Sequence, residues 1–446
     1  MLDIRWIREK PELIREAAGL KRIPCDVDRL CAVDERRRAI QKELDDLRAE
    51  SNELGPQMAL FGNPKSDWYK RAVAEGRTPQ DIQTLAAQTR QKLSDIKARI
   101  KTREEEARAI GEEFDQLMLT MPQPAAPDVP IGKDESENVV LRHEGQVPPF
   151  AFEPKDHVAL GTELGIIDIE RGVKLAGARN YILRGDGAML HYAVLRLAQN
   201  LMISRGFTPM VVPVLVRESV MYGTGYFPIG RDQAYLCERD EMSLVGTAEV
   251  PLTAYYTDEV LEEDQLPVKS VALSTCFRRE AGAAGKDTYG LYRIHLFDKV
   301  EQVVVCRNDE EESIRFHHEI LANAESVLQA LGLPYRVVNV CTGDLGQGQV
   351  QKFDIETWMP SRNSYGETHS ASRFYEFQAR RLNLRYRDKD RKLRFCHTLN
   401  NTVIASPRIL IPILELYQNE DGSVTVPPAL RPYMGGKERI VGRGQS

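Results

Sequence analysis

The sequence predicts an α+β protein in which an antiparallel coiled-coil hairpin precedes a domain built on a mainly antiparallel sheet flanked by helices. Two ladders of apolar residues spaced seven apart, Val33 to Leu54 and Ala86 to Met121, indicate two heptad helices and therefore the hairpin. Beyond them, strand-like and helix-like stretches mix without the βαβα alternation of a doubly wound sheet. That mixture favours an antiparallel sheet.

A short amphipathic helix within residues 1–18, which Pro11 interrupts or restarts, precedes the hairpin. The first long helix begins near Asp26, whose side chain suits an N-cap. Residues 55–79 break the heptads with several prolines and glycines, and we call this segment the tip. Basic and aromatic residues occupy it or border it: Lys65, Lys70, Arg71, Arg77, Phe61, Trp68 and Tyr69. They suit either contact with an RNA backbone and its bases or a solvated tip with a small apolar cluster, and the sequence leaves both interpretations open.

The composition is that of a globular protein: 42% of the 446 residues are hydrophobic and 28% are charged, with a net charge of -6. No apolar run reaches membrane-spanning length and no signal-like segment starts the chain, so we expect a soluble, cytoplasmic protein without membrane association. The seven cysteines include no C-x-x-C pair, which indicates free thiols in a reducing compartment. The net charge argues against wholesale coating of nucleic acid but permits a local basic track.

After the hairpin, the pattern predicts a helix at 187–205 and a strand at 210–216. Alternating β-branched and aromatic residues then predict two long strands, at 271–277 and 293–305. A Gly- and Ala-rich loop, 281–290, joins them and carries Lys286. These segments form a long antiparallel hairpin of strands.

Charged and aromatic side chains are placed regularly on that strand hairpin. Arg278 and Glu280 share one side of the chain, and Arg293, Phe297 and Glu301 recur at intervals of four on the second strand. An arginine can hold a phosphate, a glutamate can accept from an exocyclic amine, and a phenylalanine can stack on a base. The alternative is an exposed hairpin with cross-strand salt bridges. Because the chain has neither G-x-G-x-x-G nor a P-loop, a nucleotide would have to be held by side chains on a sheet.

Three segments resemble the signature motifs of class II aminoacyl-tRNA synthetases, in the form found in the seryl-tRNA synthetase family. FRRE at 277–280, with the later KVE at 299–301, resembles motif 2. HTLNNTVIASPRILIPILE at 397–415 resembles motif 3, and FTPMVVPVLV at 207–216, with Pro213, resembles motif 1. The similarity runs from the N-terminus to the C-terminal LRPYMGG, and the order and spacing of the motifs agree with the family.

This resemblance implies an ATP site. Arg278 matches the arginine that holds the α-phosphate and the amino acid carboxylate, and Arg408 matches the motif 3 arginine that faces the adenine ring and reaches the terminal phosphate. Glu280 matches the contact to the adenine amine, Phe297 matches the ring that stacks on adenine, and Arg293 is expected near the outer phosphates. Arg278 and Arg408 are the implied catalytic residues. The implied ATP-binding set is Arg278, Arg279, Glu280, Arg293, Phe297, Glu367, Thr368, His369, Ser370 and Arg408.

The resemblance also implies a magnesium site in ETHS at 367–370, with Glu367 and Ser370 as ligands and with Thr368 and His369 where the family usually has small polar residues. Glu356, in FDIETW, is a weaker candidate for a second carboxylate, and a strand salt bridge is at least as good an account of it.

The implied serine-binding residues fall in three places. They are Thr247, Ala248 and Glu249 in GTAEVPL, Arg278 and Glu301 in motif 2, and Thr402 with Asn400 behind it in LNNT. Because serine is small, its hydroxyl has to be read by buried hydrogen bonds, and threonine has to be refused by lack of room. Thr402 is placed to meet the substrate hydroxyl.

The resemblance therefore implies an enzyme that activates L-serine with ATP, passes the seryl group from seryl-adenylate to the terminal ribose of serine tRNA, and works as a homodimer through motif 1. It implies a tRNA-binding domain at 1–121 with a long coiled-coil arm, a linker at 122–156 and a catalytic domain at 157–446. Whether selenocysteine tRNA is a second substrate stays open, as does the role of the tip. Two alternatives are a paralogue that activates an amino acid for a non-tRNA acceptor and a non-catalytic RNA-binding homologue.

Overall fold

The structure is a computed structural model that describes residues 1–282 and 288–442. Lys286, the cation predicted for the 281–290 loop, lies outside the described residues. The helices are α1 (Ile4–Glu9), α2 (Pro11–Lys21), α3 (Val27–Phe61), α4 (Asp67–Ala74), α5 (Pro79–Thr120), α6 (His157–Glu163), α7 (Ile169–Ala176), α8 (Asp186–Ser204), α9 (Glu218–Thr224), α10 (Glu249–Thr253), α11 (Glu310–Leu331), α12 (Phe377–Arg381) and α13 (Leu410–Leu416).

The strands are β1 (Val139–Glu144), β2 (Ile167–Asp168), β3 (Ile182–Leu183), β4 (Thr208–Met210), β5 (Leu215–Arg217), β6 (Tyr235–Cys237), β7 (Met242–Leu244), β8 (Val260–Glu262), β9 (Val268–Phe277), β10 (Leu296–Cys306), β11 (Tyr335–Asn339), β12 (Gln351–Met359), β13 (Ser364–Arg373), β14 (Arg385–Arg387), β15 (Leu393–Phe395), β16 (His397–Ser406), β17 (Val424–Thr425) and β18 (Arg439–Ile440). The chain divides into two compact units. One comprises Arg5–Pro11 and Cys25–Thr120, and the other comprises Met1–Ile4, Glu12–Pro24 and the residues from Met121 onward.

Helices α3 and α5 form the predicted antiparallel hairpin. Arg29, early in α3, pairs with Glu113, late in α5, whereas Glu50 pairs with Lys92, so the helices run in opposite directions. Asp26 caps α3 by accepting from the Arg29 backbone N–H at 2.8 Å, as predicted. The heptad residues on the facing stripe are buried in the first helix: Leu30, Val33, Ile40, Leu44 and Leu47.

The predicted break at residues 55–79 is wrong in its extent. Helix α3 continues through Gly55 and Pro56 to Phe61, and α4 fills much of the remainder. A proline inside a helix removes one backbone hydrogen bond, but Pro56 is exposed, where water can satisfy the freed carbonyl. Phe61, the last residue of the helix, is buried, and its burial favours continuing the helix past Pro56.

A small apolar cluster at the tip is formed by Phe61, Ala72 and Ile82, with Trp68 packed against it. The Phe61 and Trp68 ring centroids are 4.7 Å apart. These rings therefore form the satellite cluster that was one of the two interpretations. The four tip cations are exposed: Lys65, Lys70, Arg71 and Arg77.

The second unit is organised on an eight-stranded sheet with the order β1-β11-β12-β13-β16-β10-β9-β4. Each neighbouring pair is antiparallel except β4 with β9, which confirms the mainly antiparallel α+β architecture. Helices α8 and α11 pack on this sheet through a shared apolar core. Strand β1, at one edge, comes from the 122–156 stretch that the sequence analysis interpreted as a linker. Among the described residues, no helix combines the length and apolarity needed to span a bilayer.

Two strand predictions require correction. The strand predicted at 210–216 is split, because β4 ends at Met210 in the large sheet and β5 begins at Leu215 in a separate three-stranded sheet. Pro213 lies between them and cannot donate to a ladder. The strand predicted from Arg293 begins only at Leu296, so Arg293 lies in the preceding turn. The helix predicted at 187–205 is confirmed as α8.

Candidate active site

Strands β10, β13 and β16, the residues that follow β9 and β16, and the turn before β10 enclose a cavity of about 500 Å³, counting its open mouth. The motif-like segments at 277–280, 296–301, 367–370 and 402–408 all contribute to its wall. The lining residues are Arg278, Glu280, Tyr292, Ile294, Phe297, Lys299, Glu367, Thr368, His369, Thr402, Ala405 and Arg408. Eight of the sequence-predicted residues therefore line one concave surface: Arg278, Glu280, Phe297, Glu367, Thr368, His369, Thr402 and Arg408.

Arg278 and Phe297 stack on each other at one side of this cavity. The guanidinium carbon lies 5.1 Å from the ring centroid, and Arg278 Nε donates to the Gly246 carbonyl at 3.4 Å. Glu280 has a left-handed φ of 51°, which turns the chain after β9. Its carboxylate lies 3.5 Å from the Arg293 guanidinium. The cavity wall thus offers a half-buried cation, an aromatic face and a carboxylate.

Arg408 follows β16 and is fixed by two backbone carbonyls. Its Nε donates to Tyr292 O and its Nη1 donates to Glu367 O, each at 3.0 Å. Its guanidinium also lies 4.4 Å from the Tyr292 ring centroid. Arg279, by contrast, is exposed outside the cavity and donates to the Asp232 carbonyl at 3.2 Å. The planar fork of Arg408 is therefore oriented before any ligand binds.

A buried polar pocket lies deeper along β10. The Lys299 ammonium donates to Thr247 Oγ1 at 2.6 Å, pairs with Glu301 and lies 3.5 Å from Thr402 Oγ1. Thr402 Oγ1 donates to Glu301 Oε2 at 3.3 Å. All four residues are at least nine-tenths buried. Burial raises the pKa of the Glu301 carboxyl, and the Lys299 charge opposes that shift.

Lys299 is a functional candidate that was not identified from the sequence. The period-two rule that places Phe297 and Glu301 on one side of β10 also places Lys299 there. The signal was therefore present in KVE. An ammonium, a carboxylate and two hydroxyls in a buried pocket can orient a small ligand that carries both a charge and a hydroxyl group.

The three residues of the 247–249 segment face different surroundings. Thr247 joins the Lys299 pocket, and Ala248 is fully buried. Glu249 accepts from Tyr226 Oη at 2.7 Å and from Gln378 Nε2 at 2.8 Å, beside a second cavity of about 500 Å³. Burial, with repulsion from Glu301, raises the Glu249 pKa to about 7.

Asn400 lies on β16 opposite Ser372 and Val303 and is buried. Its Nδ2 has no hydrogen-bond partner among the described residues. It does not line the main cavity.

The ETHS segment lies on β13. Glu367 is exposed at the cavity mouth, whereas Thr368 and His369 are buried. His369 Nδ1 lies 2.8 Å from Thr368 Oγ1, and burial lowers the His369 pKa to about 3, so the imidazole is neutral. Ser370 pairs in register with Asp354 of β12.

The residues at this position fit a divalent cation with oxygen ligands. Asp354 is 95% buried; its Oδ2 pairs with the Lys352 ammonium at 3.4 Å, and its Oδ1 has no hydrogen-bond partner among the described residues. Carboxylate and hydroxyl oxygens from Asp354, Glu367 and Ser370 are the donors that Mg²⁺ prefers. Glu356 instead pairs with Arg336 at 2.5 Å, which confirms its salt-bridge interpretation. Among the described residues, no group of three His, Cys, Asp or Glu residues could by itself hold a metal ion.

Comparison with known proteins supplies the family. Residues 1–124 match the seryl-tRNA synthetase N-terminal domain, and residues 235–417 match the tRNA synthetase class II core domain for G, H, P, S and T. The chain is 44% identical to a serine–tRNA ligase of Deinococcus radiodurans, with 98% of each protein covered. It is 41% identical to a serine–tRNA ligase of Rubrobacter xylanophilus, again over 98% of each.

A solved structure agrees over the whole chain. The crystal structure of seryl-tRNA synthetase from Pyrococcus horikoshii complexed with ATP superposes with a TM-score of 0.88 at 36% identity, covering 99% of this chain and 100% of that one. Identity above 40% over nearly the whole chain, together with the shared fold, shows which family the chain belongs to. The chain belongs to the seryl-tRNA synthetase family of class II aminoacyl-tRNA synthetases.

Proposed function

We propose that this protein is a serine–tRNA ligase that activates L-serine with ATP and transfers the seryl group to the 3′-terminal ribose of tRNA(Ser), releasing AMP and diphosphate. One observation carries the proposal. A single cavity is lined both by the arginine and aromatic groups suited to ATP and by the buried Lys299 and Thr402 suited to a small hydroxy amino acid. The serine–tRNA ligase relatives, and the ATP in the Pyrococcus complex, support the same reaction.

In the first step, a carboxylate oxygen of serine attacks the α-phosphorus of ATP, and the bond to the β-phosphate breaks. An ionised carboxylate needs no general base, so the protein's task is positioning and charge stabilisation. Arg278 would hold the α-phosphate and the serine carboxylate. Phe297 would stack on adenine, and Glu280 would accept from its amine. Arg408 would cover the other face of the ring and reach the terminal phosphate, with Arg293 near the outer phosphates.

We assign Mg²⁺ to Glu367 and Ser370, and add the buried Asp354 to that pair. A bound Mg²⁺ would neutralise phosphate charge and favour departure of diphosphate. The three side chains supply hard oxygen donors on neighbouring strands, and the unpaired Asp354 Oδ1 supports this assignment.

Serine would be identified in the Lys299 pocket. Its hydroxyl would exchange hydrogen bonds with Thr402 and Glu301, while Thr247 and Glu249 would lie toward its ammonium group. Alanine would leave these buried groups unpaired, and threonine would require room for another methyl group. Ala248 and Asn400 would keep the walls of the pocket in place.

We assign residues 1–121 to a tRNA-binding domain, 122–156 to a linker and 157–446 to the catalytic domain. The two matched family segments support this division. The α3–α5 hairpin and its exposed tip cations would contact tRNA(Ser). In the second step, the terminal ribose hydroxyl attacks the seryl carbonyl, and AMP leaves.

We also propose a homodimer formed through the motif 1 region. Apolar side chains on one face of α8 and on the following segment are exposed: Met189, Tyr192, Ile203 and Val211. A second copy of the chain would cover this face. None of the seven cysteines, all of which lie within the described residues, forms a disulfide, which fits a cytoplasmic, reducing compartment. Sedimentation of the purified protein tests the dimer, and a monomer at micromolar concentration would contradict it.

The decisive experiment is ATP–pyrophosphate exchange with serine, threonine, alanine, glycine and cysteine. We expect exchange with serine, a loss of about tenfold or more in kcat/KM for Thr402→Ala, and substantial retention for Thr402→Ser, which keeps the hydroxyl. Exchange without subsequent charging of tRNA(Ser) would favour the paralogue with another acceptor. No exchange with any amino acid, from folded protein, would favour the RNA-binding homologue. The same charging assay with selenocysteine tRNA decides whether it is a second substrate.

A further inference from the structure

Glu415 is a fully buried carboxylate on α13 that none of the proposed steps uses. Its Oε1 accepts from the backbone N–H of His157 at 3.1 Å, and lies 2.8 Å from His157 Nδ1. Its oxygens also accept from the Ser361 backbone N–H at 2.9 Å and from the Ser361 hydroxyl at 2.8 Å. This carboxylate therefore holds both the first residue of α6 and the turn at Pro360–Arg362.

The imidazole of His157 in turn contacts the backbone of the segment that precedes β10. Leu291 N–H lies 3.2 Å from His157 Nε2. Because a backbone N–H can only donate, Nε2 must accept, so the ring proton is on Nδ1 and is donated to Glu415. The chain passes the ring very closely. A Cβ atom added at Gly290 would lie 2.1 Å from Nε2, and Gly290 has a left-handed φ of 63°.

The peptide held by His157 leads directly into the ATP-site wall. Residue Tyr292 follows Leu291, and its carbonyl is one of the two acceptors that orient Arg408. Its ring is packed by the guanidinium of Arg408, at 4.4 Å from the centroid, and by that of Arg362, at 4.2 Å. Arg362 adjoins the Ser361 that Glu415 also holds. Two chains of contacts therefore run from Glu415 to Tyr292, one through His157 and Leu291 and the other through Ser361 and Arg362.

We propose that His157 is a positioning residue of the ATP site, which fixes the Leu291–Tyr292 peptide on Glu415 and thereby sets the orientation of Arg408. This inference rests on the proposed function, since it takes the Arg408 cavity as the ATP site. His157 does not line that cavity. It lies behind it, in a separate cavity of about 630 Å³ with Tyr289 and Ser361.

Two variants separate the two bonds that the imidazole makes. His157→Asn places an amide near the Nδ1 position and keeps the donor to Glu415, but has no acceptor that reaches Leu291. His157→Gln extends its amide oxygen toward the Nε2 position and keeps that acceptor. In serine-dependent pyrophosphate exchange, we expect His157→Asn to raise KM for ATP about tenfold, with KM for serine within about twofold of wild type. His157→Gln should stay within about threefold for both substrates.

The opposite order of the two variants, or an equal rise in both KM values, would overturn the proposal, because either result would indicate a purely structural role at Glu415. Gly290→Ala provides an independent test if the His157 variants do not fold. It keeps the imidazole but forces the peptide away from it, so it should reproduce the ATP-selective defect, and an unchanged KM for ATP would again refute the role. His318→Ala, an exposed histidine on α11, is the control. Absence of exchange in the wild type would instead defeat the proposed function itself.

Discussion

The Lys299 ammonium lies 2.6 Å from the Thr247 hydroxyl and is paired with Glu301, two residues further along the same strand. Burial alone would favour a neutral Glu301, because a low-dielectric environment penalises the charged carboxylate. Lys299 opposes that penalty and lowers the pKa of Glu301 relative to the value burial would impose. The pair therefore offsets part of the cost of burying an acceptor where serine is proposed to bind.

Replacing Lys299 should impair serine binding more than ATP binding. In Lys299→Met, Glu301 keeps its burial but loses its counter-charge, and a broken buried pair costs about 3–5 kcal/mol. We expect KM for serine to rise about 100-fold or more, with KM for ATP changed by less than about fivefold, in steady-state pyrophosphate exchange. Lys269→Met is the matched control, since Lys269 pairs with Glu319 away from the cavity. Equal defects in the two variants would argue against a specific role.

Arg408 should not tolerate lysine. Its guanidinium donates simultaneously to Tyr292 O and Glu367 O, and a single ammonium cannot reproduce this planar geometry. We expect Arg408→Lys to lower kcat/KM for ATP about 100-fold while KM for serine stays near the wild-type value. Arg394→Lys, at an Asp388 pair outside the cavity, should remain close to wild type in the same assay.

The stability of the protein should depend on pH through Glu249. Its pKa is raised from near 4.5 to about 7, so between these values the native state binds more protons than the unfolded state. The unfolding free energy should therefore fall as pH rises from about 4.5 to 7, by at most about 3 kcal/mol, and the penalty should be complete above pH 7.

Urea unfolding at pH 5, 6 and 7.5 tests this dependence. In Glu249→Gln that decline should disappear, so the difference in unfolding free energy between wild type and variant should change across the window. Glu420→Gln, an exposed carboxyl, is the control and should follow wild type. Parallel curves for wild type and Glu249→Gln would show that the Glu249 pKa is not raised.

The exposed tip cations should serve tRNA and not amino acid activation. A variant with alanine at Lys65, Lys70, Arg71 and Arg77 should lose about tenfold or more in kcat/KM for tRNA(Ser), because each phosphate contact contributes electrostatic affinity. The loss should shrink at high salt, and pyrophosphate exchange should be unchanged. Glu75→Gln, on the same tip, is the control. Undiminished charging at low salt would remove the tip from the tRNA interface.

Local sequence patterns predicted much of the fold. The heptad spacing around Val33 and Ile40 identified the helical hairpin because only one face of each helix can be buried. The pattern at Pro56 was misleading, since its local cost in a helix is outweighed by burial further along the chain. At Pro213, proline's inability to donate to a sheet ladder does limit the strand, and the predicted strand is divided between two sheets.

The candidate site likewise includes residues that the sequence motifs placed correctly and one that they did not. Arg278, Glu280, Phe297, Thr402 and Arg408 were identified from motif residues and all line one cavity. Arg279, in the same motif, lies outside it, because the left-handed turn at Glu280 and the bond to Asp232 direct the chain and side chain differently. Adjacent residues of a motif can therefore differ in exposure in a way that their identities do not reveal.

The sequence by itself determined the helical hairpin, the antiparallel class of the sheet and the residue types at the site, because periodicity and chemical identity are local properties. Only the tertiary structure decided which distant groups meet. The pairing of β12 with β13 places Asp354 beside Ser370, and the packing of α13 against α6 places Glu415 against His157. Such contacts depend on strand register and on the desolvation of groups far apart in the chain, so no local pattern contains them.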